Sequence, residues 1–303
     1  MKSIFASVIC WLVIVHQGFT LPEGIPSDVF KAQRDGYLYA DFPGVFDDPE
    51  NEGITIEAWI YLTGQPKDGN YRFTSEGRWI VLAKPGSYHV TITGRDLGSP
   101  TERKAPEGFT RINFAIERAR ENSWGTSTTG LPIAPEQFPL QRWVHFAHQI
   151  VVNQDDIHKI LFYGTVLSYD GKNWSGGRRR FMGRENTPLV IGGPAPVTLN
   201  DKWEWDKHFE SMEGYIDEVR ISRGARYGEK IGAEIRPRRR FRADGQTIAL
   251  WHFEEGLGSH IYEDSSGNGY TLFTGGSLAT TVEAQDKLTT TWGSMKHRAL
   301  GGK

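Results

Sequence analysis

The stretch Ile54–Leu62 constrains the fold most. Apolar Ile54, Ile56, Ala58, Ile60 and Leu62 alternate there with Thr55, Glu57, Trp59 and Tyr61. A period of two sends the two sets to opposite faces of an extended chain, which is the pattern of a β-strand laid on a core. Trp79–Ala83, Tyr88–Thr93, Arg111–Glu117, Arg142–Val152, Ile160–Leu167, Leu189–Ile191, Glu213–Ser222 and Thr247–Glu254 read the same way. Turn signals such as Asp68-Gly69-Asn70, Asp170-Gly171-Lys172 and Ser266-Gly267-Asn268-Gly269 separate them. No heptad, no amphipathic helix of useful length and no strand–helix alternation competes with this pattern. An all-β, antiparallel sandwich in one domain is therefore expected, because the strands are too unevenly spaced for propeller blades.

The first 20 residues have a different logic. Lys2 precedes an apolar run of 12 residues, Ile4–Val15, followed by the polar His16-Gln17-Gly18. The run has the length of a secretory signal core and falls short of the roughly 18 residues that a membrane span needs. Residues 1–20 are accordingly read as a signal peptide, 21–275 as the sandwich, and 276–303 as a polar, partly disordered tail. The one cysteine, Cys10, lies inside the signal-like segment. The mature chain is then expected to carry neither disulfides nor thiolate metal sites, so its core must hold it together. Secretion or an extracytoplasmic location, in a periplasm, at a cell surface or outside the cell, follows from that reading. A formal net charge of -2 favours neither nucleic acid nor a membrane surface.

Ligand-binding candidates come from aromatic side chains in loops, since pyranose rings present C–H faces that stack on indole and phenol rings. Trp124, Trp174, Trp203 and Trp205 sit in Gly-, Asn- or Asp-rich stretches outside the clear strands and are the first candidates. The competing reading buries them under loops that fold back on the sandwich. Two basic runs, Arg178–Arg180 and Arg236–Arg242, offer guanidinium forks for acidic polysaccharide or form solvated faces. Asn173-Trp174-Ser175 is a glycosylation sequon if the source is eukaryotic. His145 and His148, three apart in a strand, point to opposite faces and are not expected to share a metal.

Among the acids Asp217 stands out. Alternation places it on the face of Tyr215, Val219 and Ile221, where a carboxylate requires compensation from backbone amides, an arginine or a hard cation. A glycosidase carboxylate pair must sit about 5–9.5 Å apart. Glu213 lies about 13 Å from Asp217 along an extended strand, and Glu218 points away from Asp217. No glucanase-type strand motif is present, nor a Gly-x-Ser-x-Gly elbow, a His-Glu-x-x-His pair or a phosphate loop.

Three blocks together resemble laminin-G-like, concanavalin A-like jelly rolls. They are Ile54–Leu62, Gly214–Ser222 continuing to Tyr227, and Ala249–Gly256 with Asp264–Gly269. The resemblance covers much of residues 28–275. The last block stands at the end here, whereas the commonest arrangement puts it first, so it either closes the same sandwich or is the stub of a second repeat. The resemblance implies a jelly roll and a structural calcium at Asp217; Asp47, Asp48 and Asp264 are candidate co-ligands, the alternative being that Asp264 caps a tight turn and the acidic stretch is a solvated loop. The resemblance further implies a non-catalytic recognition module for carbohydrate or an extracellular protein. A glycoside hydrolase or lyase of the glucanase type, and a structural envelope or adhesion component, are the alternatives.

Overall fold

The computed structural model describes residues 25–41, 53–70, 76–98, 110–120, 123–138, 140–153, 156–164, 166–169, 187–199, 203–227 and 235–279. The signal-like segment, Asp47, Asp48, Trp174 and the tail beyond Ala279 lie outside them. No helix among the described residues is long and apolar enough to cross a membrane.

The chain is all-β, with two large antiparallel sheets and no barrel. The first sheet runs in the order β1 (Phe30–Ala32), β15 (Gly214–Arg223), β3 (Ile54–Leu62), β8 (Val144–Asn153), β9 (Asp156–Tyr163) and β10 (Val166–Tyr169). A further strand, β16 (Thr247–Trp251), also pairs with β15. The second sheet runs β17 (Ile261–Tyr262), β18 (Leu272–Gly276), β2 (Gly36–Ala40), β11 (Leu189–Ile191), β4 (Arg78–Lys84), β5 (Tyr88–Thr93), β6 (Thr110–Arg120) and β7 (Ser123–Ile133). Short β14 (Glu210–Ser211) joins β4 in parallel, and β12 (Thr198–Leu199) pairs β13 (Trp203–Glu204) apart from both sheets.

Period-two alternation builds the core. On β3 the apolar set expected from the sequence packs inward, and on β8 Val144, Phe146 and Ile150 do the same. They meet Leu82, Val90, Ile112, Phe114 and Leu189 from the second sheet. Each large side chain fully buried there contributes about 1.5–3 kcal/mol. The outer faces are covered as well. Ile25 and Val29 lie on Tyr61 and Tyr215, Ile235 lies on Ala147 and Val151, and Ala195, Leu199, Trp205 and Phe209 lie on Ile80, Ala83 and Val190.

The last resemblance block closes this same fold, since β16 extends the first sheet and β17–β18 extend the second. Trp251 is fully buried and donates its indole N–H to the Tyr270 carbonyl at 2.7 Å. Asn268 reaches back to the Thr247 and Ile248 carbonyls.

Three sequence expectations are corrected. The Ile160–Leu167 run is two strands, because Gly164, at φ 64, turns the chain so that Tyr163 faces Val166. Trp124 stands in strand β7 opposite Ala119, not in a loop. Asp217 does not share a face with Val219 and Ile221. Glu218 takes a left-handed conformation, φ 53, and the register slips between Asp217 and Arg220. This bulge resets the alternation. Ile216 faces the core before it, Val219 and Ile221 face the core after it, and Asp217 stays outside. The bulge falls where β15 exchanges one neighbour, β1, for the other, β16. Left-handed backbone at a non-glycine costs about 1 kcal/mol or more. The Glu218 carboxylate offsets it by accepting the Phe241 amide at 2.7 Å and contacting His252 Nδ1 at 2.9 Å.

Candidate functional site

A cleft of about 800 Å³ opens beside the second sheet. Tyr37 enters it from β2, Gln65 and Lys67 from the segment after β3, and Glu76 and Trp79 from the start of β4. Asp206, Phe209, Glu210 and Glu213 complete it from the segment that leads into β15.

Local chemistry holds each wall. Gly77 has φ 79, and a side chain on it would run into the Lys67 carbonyl, so only glycine lets the two walls close there. Its amide donates to Glu210 Oε2 at 3.0 Å. Asp68 fixes the 65–70 wall by accepting the Arg95 amide at 2.7 Å and its guanidinium at 2.9 and 2.7 Å. Ser211 Oγ donates to the Gly36 carbonyl at 3.1 Å, tying β14 to β2.

Three ion pairs account for most of the charge, namely Lys67 with Glu76 at 2.8 Å, Lys207 with Asp206 at 3.4 Å and Arg34 with Asp35 at 3.7 Å. They are exposed and contribute little stability. The hydrogen bond to Glu76 and its charge, then the charges of Glu210 and Glu213, hold the Lys67 ammonium above its usual range. Burial, then Tyr39 and Asp206, pushes the Tyr37 phenol up. Glu210 and Glu213 stand outside these pairs, so the cleft is rich in acceptors, and its lining includes Tyr37 with the largely buried Trp79 and Phe209. Such a surface suits a neutral, hydroxyl-rich ligand better than an anion.

Of the four tryptophans expected to bind ligand, Trp174 lies outside the described residues. Trp205 is only 1% exposed and packs at a tilt against Phe209, 4.7 Å between ring centroids. It supports the cleft wall from behind, a core role that corrects the expectation. Trp203 is placed by its backbone opposite Leu199 in β13, and Trp124 in β7. Sequence reading missed Tyr37, Lys67, Glu76, Glu210 and Glu213. The one local signal was the pair of acids three apart, Glu210 and Glu213, beside a strand.

The described acids do not fit a calcium site. Asp264 uses Oδ1 to accept the Leu250 and Ser266 amides, and Oδ2 to accept the Tyr270 amide and the Ser266 hydroxyl. Asp217 accepts the Glu218 amide at 2.7 Å through one oxygen and meets the Arg239 guanidinium at 3.0 Å through the other. Of the three compensations foreseen for Asp217, it therefore has a backbone amide and an arginine. No group of three or more His, Cys, Asp or Glu able to hold a metal occurs among the described residues. Burial foremost pushes the Asp217 carboxyl up to about 7. The charges of Glu218 and Asp28 add to this, while Arg239 and the amide pull it down. Arg239→Ala is expected to raise it further, read as a carbon-13 carboxyl titration of Asp217 in both proteins; an unchanged midpoint would show that Arg239 does not compensate it.

The outer face of the first sheet carries the densest buried polar network. Glu57, with no exposure, accepts the Arg220 guanidinium at 2.8 and 2.6 Å, His145 Nε2–H at 3.1 Å and the Tyr227 hydroxyl. Burial works to raise the Glu57 carboxyl, but the His145 hydrogen bond and the Arg220 charge outweigh it and hold it below the usual range. Burial lowers His145. The Glu57 carboxylate is faced by the Arg220 guanidinium, with Arg226 Nε 4.0 Å from the same oxygen. His148 points the other way, into the core between Phe114 and Phe146, so the two histidines do stand on opposite faces.

Neither comparison with protein-family models nor comparison with curated proteins gives a match. The class defined by the fold and the cleft is a two-sheet, all-β protein with an open, acceptor-rich surface cleft.

Proposed function

We propose that this chain is an exported, non-catalytic recognition module of the concanavalin A-like, laminin-G-like jelly-roll kind, and that it binds a neutral carbohydrate in the cleft. The observation that carries the reading is the combination of the Tyr37 ring with Glu210 and Glu213, carboxylates outside the three ion pairs, around one open cavity, since sugar hydroxyls need acceptors and sugar C–H faces need rings. The alternating strands and the short apolar segment at the start support the fold and export parts of the reading.

A glycan array, with added calcium and with chelator, tests it. Tyr37→Ala and Glu213→Gln are each expected to weaken binding roughly tenfold, equivalent to about 1.4 kcal/mol, with the unfolding midpoint held. Binding that survives both variants, or an array with no bound glycan, overturns the reading. Binding to a cell-surface or matrix protein instead would move the partner to the protein class. Release of reducing ends would make the protein a glycoside hydrolase, with Glu210 and Glu213 the first carboxylates to replace.

A further inference from the structure

Residues 235–242 form a strap over the outer face of the first sheet, and the strap is pinned from beneath. Ile235 packs on Ala147 and Val151, and Phe241, 2% exposed, lies under the Arg220 guanidinium at 4.6 Å. The Trp59 indole N–H donates to the Arg238 carbonyl at 3.2 Å, and Arg220 donates to the Arg242 carbonyl at 2.9 Å. Arg239 turns inward, over Trp143 at 4.7 Å and Trp59 at 5.2 Å, to reach Asp217.

This anchoring leaves Arg236, Arg238, Arg240 and Arg242 exposed on the solvent side. Arg240 pairs with Glu254 at 2.7 Å in an exposed contact, the kind a stronger anion displaces at little cost. Arg238 and Arg242 have no acidic partner among the described residues. The strap is not a strand, and the chain bends at Arg239 and Arg240, so what gathers the exposed guanidinium forks of Arg236, Arg238, Arg240 and Arg242 into one row is their closeness along the chain. The net charge of the chain is -2, which makes the row a local feature and not part of a general basic surface.

We infer that this strap is a second binding surface, for a linear glycan bearing sulfate or carboxylate groups. Guanidinium forks meet both groups bidentately. A backbone already tied by its carbonyls has little ordering cost left on binding. Sequence-tolerant binding of single-stranded nucleic acid needs open aromatic platforms beside the charge, and here Trp59 and Trp143 lie under Arg239. The surface is on the first sheet and the cleft on the second, so failure of the cleft reading leaves this one standing.

The test uses the full chain with heparin fragments as sulfated probe, polygalacturonate as carboxylated probe and DNA as competitor. Arg238→Ala/Arg242→Ala removes the two unpaired forks and leaves the Arg239 and Arg240 ion pairs in place. Heparin or polygalacturonate affinity is expected to fall tenfold or more in this variant, with a shallower salt dependence. The unfolding midpoint should be unchanged, and Arg34→Ala in the cleft should be without effect. Equal affinity of wild type and double variant, no binding of either glycan by wild type, or tighter binding of DNA than of heparin overturns the inference.

Discussion

Glu57→Ala is expected to cost about 3–5 kcal/mol of unfolding free energy, the range for breaking a buried ion pair from one side. The magnitude does not come from lost area. Arg220 is 8% exposed, and without Glu57 it keeps, among the described residues, only the Arg242 carbonyl and the Phe241 ring, neither of which neutralises it. His145 and Tyr227 would lose the acceptor of their donated protons as well. For a domain of this size that corresponds to a melting point lower by roughly 10 °C. Glu57→Gln keeps an acceptor while removing the charge and should fall between the two. Urea unfolding of the three proteins checks the order; a Glu57→Ala loss below about 0.5 kcal/mol, typical of exposed sites, would show that the network carries no stability.

His148 makes the second large effect, as a dependence on pH. Burial foremost, with the nearby His145 adding to it, lowers the imidazole to about 3 from its ordinary 6.5. Neither ring nitrogen has a hydrogen-bond partner among the described residues. A folded value below the unfolded one means that the unfolded chain takes up the proton first. The stability that His148 allows is complete above pH 6.5 and is lost as the pH falls toward 3, by about 1.4 kcal/mol per unit. Asp217 works in the opposite sense, since its folded value near 7 lies above the ordinary 3.8 and favours the folded state as it takes up a proton below pH 7. Comparing wild type with His148→Leu removes that contribution, because Asp217 is present in both. The stability difference should shift in favour of the variant by about 1.4 kcal/mol for each unit below pH 6.5. Parallel profiles would show that the imidazole is not held neutral by the core.

Much of the strand framework was legible in the sequence. Ile54–Leu62, Tyr88–Thr93 and Leu189–Ile191 have the same bounds in the structure, because alternation of apolar residues is the direct signature of a face against a core. Ser123–Ile133 was not legible. It is rich in Ser, Thr and Gly without apolar alternation, and it becomes a strand through pairing along its whole length with β6. Trp205 illustrates the same limit, since flanking acids and lysines mark a loop but cannot say that the loop folds back and buries the ring. At Asp217 a single left-handed residue next door moved the side chain to the other face, and a period-two reading has no means of seeing a bulge.

The candidate site was less legible than the fold. Glu57 looked like a polar residue on a half-exposed face and is fully buried because the chain around Arg220, Tyr227 and Phe241 lies over it. The cleft draws Tyr37, Lys67, Glu76, Glu210 and Glu213 from segments far apart in the chain, so no spacing motif joins them. What the sequence by itself determined is the all-β class, most strands and which of their residues face inward, all of which follow from short-range periodicity. Only the tertiary structure decided which loops cover which faces, which acids find amides or arginines, and where a cleft opens. Those outcomes depend on contacts between segments more than a hundred residues apart, such as Gly77 with Glu210, and local pattern carries no information about them.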